Sequence, residues 1–124
     1  MPSMMAVWRT KPNAPMPGTY LCQVAEIADG GVREFVYGHG KDQFSLMVMR
    51  HGERIRGFVN SCPHFWVPLN VGPSFTLFDD YVLCMNHYAM FRIEDGYCED
   101  GPCLGTTLDG VPLRMQDGRL SVAE

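Results

Sequence analysis

The chain has 124 residues, 46% of them hydrophobic, which suits one domain with a modest core. Ten basic and 14 acidic residues give a net charge of -4. The only two lysines, Lys11 and Lys41, stand among scattered arginines, so nothing here offers the basic surface that nucleic acid needs. Apolar stretches such as Tyr81–Met85 are far too short to span a bilayer, so no membrane partner is expected. Met1-Pro-Ser-Met-Met-Ala lacks the charged and apolar regions of a secretory signal, and a cytoplasmic location is expected.

Residues 1–18 hold Pro2, Pro12, Pro15 and Pro17 and read as an N-terminal arm, laid along the surface or left loose. Residues 19–124 read as the folded domain. Tyr20 to Ile27 is apolar but alternates poorly, so a strand is expected there with little support from periodicity. Gly30-Gly31 closes it. Gln43 to Arg50 is a better strand, and the His51-Gly52-Glu53 turn joins it to Arg54–Asn60 as a β-hairpin, with Ile55 and Val59 facing one side. Phe75–Phe78 and Tyr81–Met85 flank Asp79-Asp80. Phe91–Ile93, the Asp95-Gly96 turn and Tyr97-Cys98 suggest another hairpin. Val111–Met115, Asp117-Gly118 and Arg119–Val122 form the last. Short strands at this spacing, with 13 glycines and 9 prolines between them, predict an all-β antiparallel sandwich or partly open barrel.

Five cysteines fit a disulfide framework poorly, since one must stay unpaired. Cys22, inside an apolar stretch, reads as a small buried residue. Cys62 and Cys84 read differently. They open two segments, Cys62-Pro-His64 and Cys84-Met-Asn-His87, each directly after an apolar strand. Of four histidines in the chain, two thus occupy matching places in paired Cys-His loops. Three readings compete. The pairs are unrelated buried thiols and loop histidines; or they form a zinc site that stabilises an interaction module, although the single intervening residue of the first pair is not the usual knuckle spacing; or two thiolates and two imidazoles hold a [2Fe-2S] cluster, which explains most about the uncharged first loop.

These two segments resemble the paired binding loops of the Rieske [2Fe-2S] proteins, and Gly101-Pro102 resembles the proline loop that covers the cluster in that family. The similarity runs from about Tyr20 to Val122. It implies a two-loop cluster-binding subdomain at about residues 58–105, with Cys62 and Cys84 on the inner iron and His64 and His87 on the outer one. Two departures stand out. Tyr88 follows the second histidine where many relatives have glycine, and so must find a compatible backbone angle. Val67 and Asn86 occupy the positions of the inter-loop disulfide found in relatives from respiratory and photosynthetic cytochrome complexes. The sequence therefore resembles the soluble, ferredoxin-like branch.

The segment from His64 through Phe65, Trp66 and Val67 to Leu69 carries no charge. Val67 and Leu69 are expected to pack over the cluster, and one aromatic, Trp66 rather than Phe65, to lie exposed as part of a docking patch. Glu94, Asp95, Glu99 and Asp100 either steer a basic partner or are an ordinary solvated turn. Cys98 and Cys103 are expected as reduced thiols against the cover loop, and Met85 and Met90 as filler. High-potential relatives place hydroxyl donors two and four residues after the second histidine. Here these positions are Ala89 and Phe91, which predicts a low reduction potential.

No nucleotide loop, flavin site or mononuclear iron site is legible, so the chain reads as an electron carrier and not an enzyme by itself. The resemblance implies an NAD(P)H-dependent reductase as donor and a terminal oxygenase as acceptor. A small electron-transfer subunit of a larger oxidoreductase is the alternative.

Overall fold

A computed structural model describes residues 7–63, 67–70, 75–85 and 88–124. The strands in chain order are β1 (Tyr20–Gln23), β2 (Val32–Tyr37), β3 (Phe44–His51), β4 (Arg54–Val59), β5 (Thr76–Phe78), β6 (Tyr81–Leu83), β7 (Met90–Arg92), β8 (Cys98–Asp100), β9 (Gly110–Val111), β10 (Leu113–Gln116) and β11 (Arg119–Val122). All pairings are antiparallel, in three sheets ordered β1-β11-β10, β2-β3-β4-β9 and β5-β6-β7-β8. Among the described residues there is no α-helix, only three short 3-10 turns. The expected all-β antiparallel architecture is what forms.

Strand β3 explains the layering. Its side chains alternate between two separate cores: Phe44, Leu46 and Val48 enter one, Met47 and Met49 the other. Successive residues of a strand point to opposite faces, so a run that is apolar on both registers must be covered on both sides. The β2-β3-β4-β9 sheet is therefore the middle of the molecule. On one face Leu120 and Val122 of β11 pack with Cys22 of β1; on the other, Val82 and Phe91 of the β5–β8 sheet pack with Cys62 and Cys84. Fully burying each large apolar side chain stabilises by about 1.5–3 kcal/mol.

Turn chemistry sets the hairpin registers. His51 pairs with Arg54, leaving Gly52-Glu53 as a two-residue turn. Gln116 pairs with Arg119, and Asp117 and Gly118 both take positive φ, 54° and 75°, as an Asp-Gly hairpin turn requires.

Three local differences from the sequence reading have physical causes. Strand β1 stops at Gln23 because the Glu26 carboxylate accepts the Gln23 amide at 3.1 Å and bends residues 24–26 into a 3-10 turn. Strand β2 is absent from the sequence reading. It is an edge strand with no fully buried residue, and Arg33 lies over its Phe35 ring, so its pattern is too polar to stand out. Finally, the proline-rich segment contributes Trp8, which is wholly buried in the core around β11, through a 3-10 turn at Val7–Thr10.

Candidate metal centre

Strand β4 ends at Val59 and β6 at Leu83, and each delivers a cysteine to the loop that follows. The Cys62 amide donates to the Val67 carbonyl at 2.7 Å, closing the first loop on itself. In the second, the Cys84 amide donates to Ala89 O at 2.9 Å and the Tyr88 amide donates back to Cys84 O at 2.7 Å. Both cysteines are 1% exposed and lie in the same core.

The loops are tied to each other and to the sheet. The Met85 amide donates to Leu69 O at 2.8 Å, crossing from the second loop to the first. Leu69 is in turn held by Asn60, whose Oδ1 accepts the Leu69 amide at 2.8 Å. Asn60 Nδ2 donates to Asn70 Oδ1 at 2.9 Å and reaches Ser45 Oγ at 3.3 Å, while Ser45 itself donates to Glu34. Asn60 is the one buried polar residue among those described. A buried amide is tolerated because its hydrogen bonds are made, and here they pin the root of the first loop to β2 and β3.

Tyr88 sits at φ 60°, the left-handed angle that glycine adopts freely and that a larger residue takes at a cost of about 1–2 kcal/mol. Its side chain is exposed, as is that of Leu104 of the cover loop, taken as residues 101–104. Gly101 sits at φ 104°, and a Cβ there would stand 2.6 Å from Ala89 Cα, so only glycine lets the cover loop approach the second loop this closely. Leu69 is fully buried and Val67 partly buried against the same core. His64, Phe65, Trp66, Asn86 and His87 lie outside the described residues.

Cys98 and Cys103 are buried with their sulfurs 3.5 Å apart, and Cys103 Sγ is 4.0 Å from Cys62 Sγ. None of the five cysteines forms a disulfide. Burial raises the Cys103 thiol above its ordinary pKa, and it raises Cys22 likewise. The separation of 41 positions along the chain between Cys62 and Cys103 hides this contact from sequence reading.

The four carboxylates Glu94, Asp95, Glu99 and Asp100, in β8 and the turn before it, are mostly tied to neighbours. Glu94 bridges Arg54 at 2.9 Å and Arg56 at 3.3 Å. Arg92 Nε donates to Asp95 at 3.0 Å and its Nη1 donates to Glu99 at 3.0 Å, with the Tyr81 hydroxyl also on Glu99 at 2.6 Å. Asp100 accepts the Gly101 amide. Three of the four carboxylates thus face arginines. A cleft of about 700 Å³, lined by Trp8, Ile55, Arg56 and Leu113, holds none of the cysteines.

The donor chemistry fits an iron–sulfur group in part within the described residues. Two buried thiols on loops joined by a direct hydrogen bond supply half of a two-thiolate, two-imidazole set. Among the described residues no group of three or more side chains converges to hold a metal ion by itself. No helix among them is long and apolar enough to cross a membrane.

A search of curated proteins finds no match. Solved structures do match. One is a complex of reduced oxygenase and oxidized ferredoxin in carbazole 1,9a-dioxygenase, with a TM-score of 0.69 and 22% identity over 84% of this chain and 90% of that one. Another is the Sphingomonas yanoikuyae B1 ferredoxin, with a TM-score of 0.66 and 22% identity over 85% of this chain and 96% of that one. A third, the reduced complex between oxygenase and ferredoxin in carbazole 1,9a-dioxygenase, gives 0.69 and 21%, but there this chain spans only 27% of the matched chain. At these identities the likeness speaks for the fold. The family profile for the Rieske [2Fe-2S] domain matches residues 18–115. With that match over most of its length, the chain belongs to the Rieske [2Fe-2S] domain family and binds a [2Fe-2S] cluster.

Proposed function

We propose that this protein is a Rieske-type ferredoxin of the cytoplasm, taking single electrons from an NAD(P)H-dependent reductase and passing them to a terminal oxygenase. The observation that carries the reading is the pair of buried cysteines, Cys62 and Cys84, on two loops locked together by the Met85–Leu69 hydrogen bond. Two further facts support it. The chain matches a ferredoxin over 96% of that protein's length, and an oxygenase–ferredoxin complex is among the similar structures.

Cys62 and Cys84 would hold the inner iron and His64 and His87 the outer. When bound, the cluster stores one electron at a time. The chain's own residues do the rest. Leu69, Val82 and Phe91 exclude water from the two sulfurs. Asn60 and the Leu69 carbonyl fix the separation of the loops, so the site needs little rearrangement when its charge changes. Tyr88, beside His87 in sequence, and Leu104 of the cover loop present exposed apolar side chains that suit a small, transient docking face.

The experiment is reconstitution. Purified protein should contain two irons and two labile sulfides, and carry electrons from an NADH-linked reductase to a Rieske-dependent oxygenase. Cys62→Ser or Cys84→Ser should abolish cluster assembly, and loss of His64 or His87 should nearly do so. Stoichiometric zinc without labile sulfide, or a Cys62→Ser protein with an unchanged visible spectrum, would sink the assignment. Tyr88→Gly should keep the cluster and slow delivery to the oxygenase several-fold.

A further inference from the structure

Cys103 lies in the cover loop, outside both Cys-His segments, yet its sulfur is 3.5 Å from Cys98 Sγ and 4.0 Å from Cys62 Sγ. All three side chains are buried. A thiol has one proton to donate. That of Cys98 is directed to the Asp100 carbonyl, 3.2 Å away, an atom that can only accept. The Cys103 proton then has two sulfur acceptors, Cys98 and Cys62. A cysteine that binds iron does so as the thiolate, which has no proton of its own and carries charge. Hydrogen bonds to a charged acceptor are roughly twice as strong as neutral ones. That advantage outweighs the longer distance.

We propose that Cys103 donates its S–H to the Cys62 sulfur and thereby raises the protein's electron affinity from the cover loop. The inference depends on Cys62 being a cluster ligand, as argued under the proposed function. Cys103 is a positioning residue: it acts through Cys62. A hydrogen bond to ligand sulfur favours the more negative, reduced state. Ala89 and Phe91, both buried, have no side-chain donor to offer, so the fold supplies from a distant segment what those neighbouring positions lack.

The test compares holoprotein variants by voltammetry, with iron and sulfide measured in each. Cys103→Ala should keep two irons and bind the electron three- to tenfold less tightly, the larger figure being a downward shift of about 59 mV for one electron. Cys103→Ser retains a donor and should return the midpoint to the parent value or above. Infrared spectra of the parent should show an S–H band, absent from Cys103→Ala, that moves when the protein is reduced. An intact Cys103→Ala protein with an unchanged midpoint overturns the proposal. So does a Cys103→Ser midpoint as low as that of Cys103→Ala. If Cys103→Ala takes up no cluster, the parent infrared spectrum decides, and an S–H spectrum identical in both oxidation states overturns the hydrogen bond. Cys62→Ser, run alongside, separates the two failures. A retained cluster there defeats the ligand assignment, whereas a lost cluster with an unmoved Cys103→Ala midpoint defeats only the role of Cys103.

Discussion

The Met85 amide donates to the Leu69 carbonyl at 2.8 Å, so each cysteine-bearing loop is a wall of the other. The bond is useful only if Leu69 is itself held, and Asn60 holds it through the Leu69 amide. Replacing Asn60 by Ala leaves that buried amide and the Asn70 side chain without this partner. A loss of about 1–3 kcal/mol is expected. Thermal unfolding should occur at lower temperature, and iron content after purification should fall. A variant with parent-like values of both would show that the clamp is dispensable.

Gly101→Ala tests the cover loop. Its φ of 104° is strained for any residue with a side chain, and the new methyl would meet Ala89 backbone at 2.6 Å. Backbone cannot swing away as a flexible side chain can. The variant should lose about 1–3 kcal/mol and release iron to a chelator faster than the parent. Equal release rates would mean that the loop does not seal the site.

The reduction potential should be low. Two-histidine clusters span about −150 to +300 mV, and without hydroxyl donors at Ala89 and Phe91 this one belongs in the lowest third. Ala89 is 1% exposed and Phe91 wholly buried, and neither side chain can donate. A thiol donor from Cys103 is weak enough to leave that ranking intact. Voltammetry at neutral pH checks it, and a midpoint above roughly +150 mV contradicts the hydrogen-bond reasoning.

Acid sensitivity should involve Asp95. The Arg92 guanidinium holds its carboxyl below the ordinary value, helped by the Tyr97 amide. A carboxyl whose pKa is lowered by folding contributes stability that is fully present above its unfolded pKa, near 4, and is lost as pH falls through the lowered folded value. The pair is exposed, so its share is at most about 1 kcal/mol. Asp95→Asn should lower stability by a small, constant amount above about pH 4 and converge on the parent as the pH falls further, so that the acid limb flattens, as measured by denaturant unfolding. An unchanged acid limb would mean that the Arg92 pairing contributes nothing.

The turns were legible in the sequence because their chemistry is local. Asp117-Gly118 and Gly52 announce hairpins through backbone angles that few other residues accept. Cys62 and Cys84 were legible as loop openers for a similar reason, since each directly follows a short apolar strand. Strand β2 was not, because an edge strand buries too little to show a period. Trp8 was not, because nothing in a proline-rich segment says that its one large aromatic will find a core formed by the last strand of the chain. Cys103 was legible as a reduced thiol, but its contact with Cys62 was not, because only tertiary packing brings the two together.

The two cores on either side of β3 have different sources of cohesion. Around Trp8 and β11 the cohesion comes from apolar packing, whereas on the proposed ligand set Cys62, Cys84 and the residues sealing them would share their side with a metal group that contributes to folding free energy. Stripping iron therefore weakens one half of the molecule and leaves the other its full complement of contacts. The iron-free chain should melt in two steps instead of one, the half around Trp8 and β11 outlasting the half around Cys62 and Cys84.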